Sequence, residues 1–208
     1  MQKTIFITGT SAGLGKATAK LFQSKGWNVI ATMRNPENET ELTQLEHVTV
    51  LKLDVTDPTQ IKETVSQAIA SYAIDVVLNN AGYGLIGPLE TVTDEQLTRQ
   101  FETNVFDAIR ITQAFIPYFR EKKKGLFVTT TSIAGLIGLP LNAIYNATKW
   151  ALEGWSEGLA FELNELGIGI KTVAPGGIKT DFAGRSLDTT QHEAYTALAH
   201  KLYNISVA

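Results

Sequence analysis

A chain of 208 residues, 44% hydrophobic and 19% charged, is long enough for one domain with a sizeable core and too apolar to be disordered. Its formal charge of −3 offers nucleic acid no basic surface, and the absence of cysteine excludes disulfides, thiolate metal sites and cysteine nucleophiles. His47, His192 and His200 form no ligand cluster, so no metal is expected. No apolar run approaches the roughly 20 residues of a membrane span, and the start lacks a signal-peptide pattern, so a cytoplasmic protein without membrane partners is expected.

Taken in order, short apolar runs at 4–8, 28–32, 48–53, 75–79, 125–131 and 169–174 alternate with helical patterns. The helical stretches are 14–25, a short one near 39–45, then 59–72, 93–122 and 143–166. The apolar runs are nearly continuous in Val, Ile and Leu, as strands buried on both faces require. Alternation with right-handed crossovers predicts a doubly wound parallel α/β sheet of six strands in the order 3-2-1-4-5-6. Ligands of such sheets sit at the carboxyl ends of the strands, where the order reverses. Nothing divides the chain, so residues 1–208 read as a single domain, with 182–208 as a partial cover for the substrate.

The first strand runs into Thr8-Gly9-Thr10-Ser11-Ala12-Gly13-Leu14-Gly15 and then a helix. Gly9 suits a tight turn, Gly13 lets backbone approach a pyrophosphate, and Gly15 permits close helix–strand packing. The spacing differs from the general G-x-G-x-x-G, and a purely structural turn is the alternative. Its place in a βαβ unit favours a Rossmann-type dinucleotide site. The second strand ends without an acid to accept a ribose hydroxyl, and Arg34 instead suits a 2′-phosphate. NADP is therefore expected, with NAD as the alternative; Glu37 and Glu39 complicate the field, and Arg34 as a solvated surface side chain is the bland reading. Asp54 and Val55 suit the edge of an adenine ring. In Asn79-Asn80-Ala81-Gly82, Asn79 is placed to bond across strands, and Ala81 and Gly82 leave room for a ribose.

The fifth strand delivers Ser132, and the next helix carries Tyr145 and Lys149, four apart and so on one face. The preceding helix carries Asn104 where a polar group interrupts an apolar stripe. Tyrosine, with a pKa of about 10, needs roughly 4 kcal/mol of phenolate stabilisation to work near neutrality. A fixed ammonium and an oxidised nicotinamide can supply that order of energy, and Ser132 can donate to a substrate oxygen. Singly, each residue has a plain alternative: a surface Tyr–Lys pair, a turn cap at Ser132, a buried backbone group satisfied by Asn104. Their joint occurrence on elements that face one edge carries the argument.

With Thr8-Gly9-x-x-x-Gly13-x-Gly15, Asp54, Asn79-Asn80-Ala81-Gly82, Asn104, Ser132, Tyr145-x-x-x-Lys149, and Pro175-Gly176-Gly177 with Thr180, the chain resembles the short-chain dehydrogenase/reductase family over residues 4 to about 182. The resemblance implies that Tyr145 is the acid/base. Lys149 binds the nicotinamide ribose and tunes Tyr145, and Ser132 orients the substrate carbonyl. It further implies that Asn104 holds a water linking Lys149 to solvent, and that Pro175, Gly176, Ile178 and Thr180 lie at the nicotinamide. In the family, a basic residue at the place of Arg34 goes with NADP. A homodimer or homotetramer through the helices at 93–122 and 143–166 is also implied. Members continue to a seventh strand that is missing here, so an incomplete chain is expected.

The function expected is hydride transfer between NADP(H) and a carbonyl or secondary alcohol. Tyr83, Leu85, Ile86, Leu136, Ile137, Leu139, Ile144, Gly176 and Phe182 are the expected lining, which favours an apolar or bulky substrate. The rival is a nucleotide-sensing or scaffold protein on the same fold, which would have lost part of Ser132, Tyr145 and Lys149. An epimerase or dehydratase would need a longer carboxy-terminal substrate domain.

Overall fold

The computed structural model describes residues 2–178 and 182–205, and only the backbone of residues 182, 183 and 203–205. Thr180 lies outside the described residues. Six parallel strands form the sheet: β1 (Thr4–Ile7), β2 (Asn28–Met33), β3 (Val48–Lys52), β4 (Ile74–Asn79), β6 (Gly125–Thr130) and β7 (Ile168–Val173). Their order is β3-β2-β1-β4-β6-β7. This is the expected 3-2-1-4-5-6 topology once a short β5 (Gly84–Ile86) is counted. β5 and β8 (Leu187–Thr189) form a separate parallel pair that the sequence reading missed. Three residues carry too little periodicity to be read as a strand, and only their mutual pairing makes them one.

Alternation along the strands sorts the core into two layers. Phe6, Ile30, Val77 and Phe127 point to one face, where they meet α2 (Pro58–Ser71) through Ile61 and Val65, and α4 (Asp107–Lys122) through Ile111, Phe115 and Phe119. Ile5, Ile7, Val29, Ala31, Val76 and Leu78 point to the other, against Ala19 and Phe22 of α1 (Gly13–Ser24). Both faces are apolar because both are covered, which is why the strands read as unbroken hydrophobic runs. Phe6, Phe115, Phe119 and Phe127 form a continuous aromatic column, with edge-on contacts of 5.1 Å between Phe6 and Phe115 and between Phe119 and Phe127.

Helix starts differ in a way that bears on function. Asp57 caps α2, accepting the amides of Thr59 at 2.8 Å and Gln60 at 3.2 Å, with Pro58 at the first position. Thr93 and Gln96 form a capping box at α3 (Asp94–Phe101). The residue before α1 is Ala12, which offers no side-chain cap, so the amides of its first turn stay open toward the strand ends.

Two helix expectations are corrected. The stretch 93–122 is α3, a π-helical turn over Glu102–Phe106, and α4. The π turn adds one residue where Asn104 interrupts the apolar stripe, and a single interruption does not separate a π turn from a polar position in one continuous helix. The helix near 39–45 is instead two 3₁₀ turns, Pro36–Asn38 and Leu42–Gln44. There the Glu39 carboxylate accepts the amides of Glu41 at 2.8 Å and Leu42 at 2.9 Å, at the entry to the second turn.

The turn after β1 is the tightest approach in the sheet. Gly9 has φ of 69°, and a methyl group at Gly15 would fall 2.3 Å from the Gly9 carbonyl oxygen and 2.5 Å from the Asn80 amide nitrogen. Gly15→Ala is expected to cost about 1–3 kcal/mol, read as a lower urea midpoint. An unchanged midpoint would show that α1 can move away from the strands.

Candidate active site

At the carboxyl ends of the strands lies a cleft of about 600 Å³. Its floor is the turn Gly9–Gly15, and its sides are Arg34, Asp54, Val55, Asn80, Ala81 and Gly82, then Pro175, Gly176 and Ile178. Ser11, Ala12, Gly13 and Leu14 line it at the open start of α1. All the expected dinucleotide residues that are described therefore share one cleft. The Cβ-less cradle and the uncapped helix start suit a pyrophosphate.

The cradle is held by hydrogen bonds between β1 and β4. The Thr8 hydroxyl accepts the amides of Asn80 at 2.9 Å and Ala81 at 3.0 Å, and the Asn80 side chain donates to the carbonyls of Thr8 at 3.0 Å and Gly9 at 3.2 Å. The residue that bonds across strands is thus Asn80. Asn79, expected there, points to the helix layer and donates to the Thr112 hydroxyl at 3.0 Å. Asn79 ends β4 and Asn80 follows it, and the two adjacent side chains face opposite sides.

Arg34 is exposed at the cleft and makes no ion pair among the described residues. Glu39 does not compete with it. Burial pushes that carboxyl up, but the Leu42 and Glu41 amides and Lys16, 3.2 Å away, outweigh burial and hold it below its ordinary value.

Ser132, Tyr145 and Lys149 stand together on the opposite wall. Ser132 follows β6 and its oxygen accepts the Ala134 amide at 3.1 Å, so it does cap a turn. That bond uses a lone pair and leaves the hydroxyl proton to donate. Tyr145 and Lys149 lie on α5 (Ala143–Asn164), with the ammonium 5.7 Å from the centre of the phenol ring. Burial pushes the Tyr145 phenol above its ordinary value, and the Ser132 hydroxyl pulls it down. Lys149 is 5% exposed and donates to the Thr130 carbonyl at 3.0 Å. Burial lowers its ammonium from 10.5 to about 8, against the opposing charges of Asp107 and Glu153.

Asn104, 1% exposed, sits in the π turn behind Gly82 and outside the cleft. Its Oδ1 accepts the Tyr83 amide at 3.0 Å, and its Nδ2 donates to the Tyr83 carbonyl at 2.9 Å and the Thr148 hydroxyl at 3.3 Å. Both amide protons are spent, so a water relay at this side chain has only the second lone pair of Oδ1 to work with. Sequence reasoning missed Asp107, 2% exposed at the start of α4, whose carboxyl burial raises well above its ordinary range. The available signal was an acid followed by Ala108, Ile111 and Phe115, on the buried stripe of its helix.

The outer end of the cleft departs from the apolar lining expected. Tyr83 and Gly176 line it, but Leu85 is buried in β5, and Leu136 and Ile137 are exposed away from it. Arg99, Thr103, Arg185, Ser186, Leu187 and Asp188 stand there instead. The β5–β8 pairing brings this polar segment over the cleft; Phe182, also expected, has no described side chain.

A family model described as short chain dehydrogenase matches residues 3–191. An uncharacterized oxidoreductase of Schizosaccharomyces pombe is 40% identical over 172 residues, 82% of this chain and 73% of that protein. A 3-ketodihydrosphingosine reductase of Bacteroides thetaiotaomicron is 36% identical over 195 residues, 92% of this chain and 71% of its own length. Among solved structures, a short-chain dehydrogenase from Streptomyces avermitilis superposes with a TM-score of 0.89 at 34% identity, covering 94% of this chain and 73% of that one. ElxO with NADP bound gives 0.83 at 32%, covering 87% and 76%. A short chain dehydrogenase/reductase from Burkholderia phymatum in complex with NAD gives 0.83 at 26%, covering 88% and 68%.

Burying Lys149 has a measurable signature. Because its pKa is lower folded than unfolded, the unfolded chain binds more protons between about 8 and 10.5, and stability rises with pH across that window. Lys149→Met is expected to stabilise the fold near pH 7 by up to about 3 kcal/mol and to abolish this rise. Denaturant titrations at several pH values measure both. A wild-type stability that is flat or falling from pH 8 to 10.5 contradicts the burial argument.

Proposed function

As a member of the short-chain dehydrogenase/reductase family, this chain is an NAD(P)-dependent oxidoreductase, and we propose that it transfers a hydride between NADP(H) and a bulky carbonyl or secondary alcohol. The observation that carries the reading is the placement of Ser132, Tyr145 and Lys149 on one wall of the cleft whose floor is the glycine cradle. The bound dinucleotide supplies or accepts the hydride.

The chain's own residues do the rest. The amides at the start of α1 and the backbone from Gly9 to Gly15 hold the pyrophosphate, and Arg34 pairs with the 2′-phosphate. Asp54 and Val55 flank the adenine, Asn80, Ala81 and Gly82 the ribose, and Pro175, Gly176 and Ile178 the nicotinamide end. Ser132 donates its hydroxyl proton to the substrate oxygen. In the reductive direction Tyr145 gives its proton to that oxygen as the alkoxide develops; in the oxidative direction it takes the proton back. Lys149 holds the ribose and, when protonated, favours the phenolate against the burial that opposes it. Asn104 keeps the loop after Gly82 and the Lys149 turn of α5 in register.

A relative named as a reductase of a keto compound supports the carbonyl. Trp150 and Phe161, 52% and 76% exposed on α5, support a homo-oligomer through that helix.

A panel of ketones and alcohols, followed by NADPH absorbance, tests the activity. Tyr145→Phe is expected to bind cofactor normally and to lose turnover on the order of 10²–10⁴-fold. Near-native turnover in that variant would remove Tyr145 from the chemistry. Arg34→Ala is expected to weaken NADPH binding by roughly 10- to 100-fold and to spare NADH. Equal losses for the two cofactors, or a wild-type preference for NADH, would overturn the choice of NADP.

A further inference from the structure

The outer wall of the cleft contains an arrangement that the chemistry above does not use. β8 runs parallel to β5 with Asp188 opposite Leu85. A ladder of three residues is marginal on its own. It is extended by the Gly84 amide donating to the Ser186 carbonyl at 2.8 Å and the Thr190 amide donating to the Ile86 carbonyl at 2.9 Å. Asp188 is also tied to α3. The Gln96 side-chain amide donates to its Oδ1 at 3.2 Å, and an Arg99 terminal nitrogen pairs with its Oδ2.

The same guanidinium also reaches Tyr83, the residue that precedes β5. Its Nε donates to the Tyr83 hydroxyl at 3.2 Å, and its carbon lies 5.4 Å from the centre of that ring. Tyr83 is itself immobilised through its backbone, whose carbonyl accepts from Gln100 at 2.8 Å and from Asn104 at 2.9 Å. From Asn104 the contacts continue to Thr148, the neighbour of Lys149. Tyr83, Arg99 and Asp188 all line the cleft. An exposed ion pair by itself contributes little. A planar fork held at two edges by groups on separate elements is pre-organised, and it fixes those elements relative to each other.

We propose that Arg99 is a positioning residue that locks the strand covering the substrate end to the loop leaving the nicotinamide subsite. Resting on the oxidoreductase reading above, it sets the wall against which the body of the substrate packs, and acts on the reaction only through Tyr83 and Asp188. Its loss loosens β8 and weakens substrate binding, while the dinucleotide keeps its partners. Lysine in its place retains the charge but has one nitrogen and cannot span both partners.

Two readouts test this. Without any ligand, Arg99→Ala is expected to lower hydrogen-exchange protection of the Thr190 amide by about 10-fold, with Arg99→Lys also impaired. Equal protection in wild type and Arg99→Ala overturns the lock. With the best substrate of the panel, Arg99→Ala is expected to raise KM about 10-fold, with kcat and NADPH affinity nearly intact, and the swap Arg99→Asp with Asp188→Arg to recover part of the loss. An unchanged KM, or a fall confined to kcat, overturns the positioning role. A wild-type protein that turns over nothing in the panel overturns the proposed substrate class and with it the catalytic consequence, while the exchange readout still decides the lock.

Discussion

The structure hangs on the stitch between the ends of β1 and β4. These neighbouring strands send their chains to opposite sides, which opens the cleft, and the opening would expose unpaired backbone groups if nothing closed it. The Thr8 hydroxyl takes two amides of the Asn80 turn, and the Asn80 side chain takes two carbonyls of the β1 turn. Only a residue without Cβ fits where α1 passes this stitch, so Gly15 follows from Asn80 as much as from any ligand. The uncapped start of α1 is then aimed into the cleft by the same geometry.

Across the cleft the protein accepts a cost. A buried ammonium with one described hydrogen bond is expensive, and its surroundings of Thr130, Asp107 and Glu153 offset only part of the penalty. Asp107 is itself buried with its carboxyl pushed toward the neutral form, so it offers Lys149 less charge than a surface acid would. The result is a lysine whose proton is exchangeable nearer neutrality, beside a tyrosine that burial makes reluctant to ionise. Such opposed displacements are what separates an acid–base site from a structural ion pair.

The π turn ties the two sides together. One extra residue in the helix turns Asn104 inward, where its side chain satisfies both backbone groups of Tyr83 and touches Thr148. Asn104 thus fills a buried backbone need just behind the cleft. Ser132 is similar, capping a turn with its oxygen while its hydroxyl faces Tyr145.

Much of this was legible in the residues. Unbroken Val/Ile/Leu runs announce strands covered on both faces, and all six main-sheet strands lie within a residue or so of their expected bounds. Gly9 to Gly15, Asn80, Ser132, Tyr145 and Lys149 were legible because each lies where a strand or helix end is set by local pattern. The π turn, the choice between Asn79 and Asn80, and the burial of Asp107 were not. One inserted residue shows in the sequence only as a single polar interruption, and a side chain's direction at a strand end depends on which helix lies behind it. Least legible was the outer wall, where a three-residue strand acquires a partner about a hundred positions away and Arg99 meets Tyr83 and Asp188. Local pattern determined the sheet, the cradle and the positions of Ser132, Tyr145 and Lys149. Long-range pairing, which no single stretch of sequence encodes, decided what lines the outer end of the cleft.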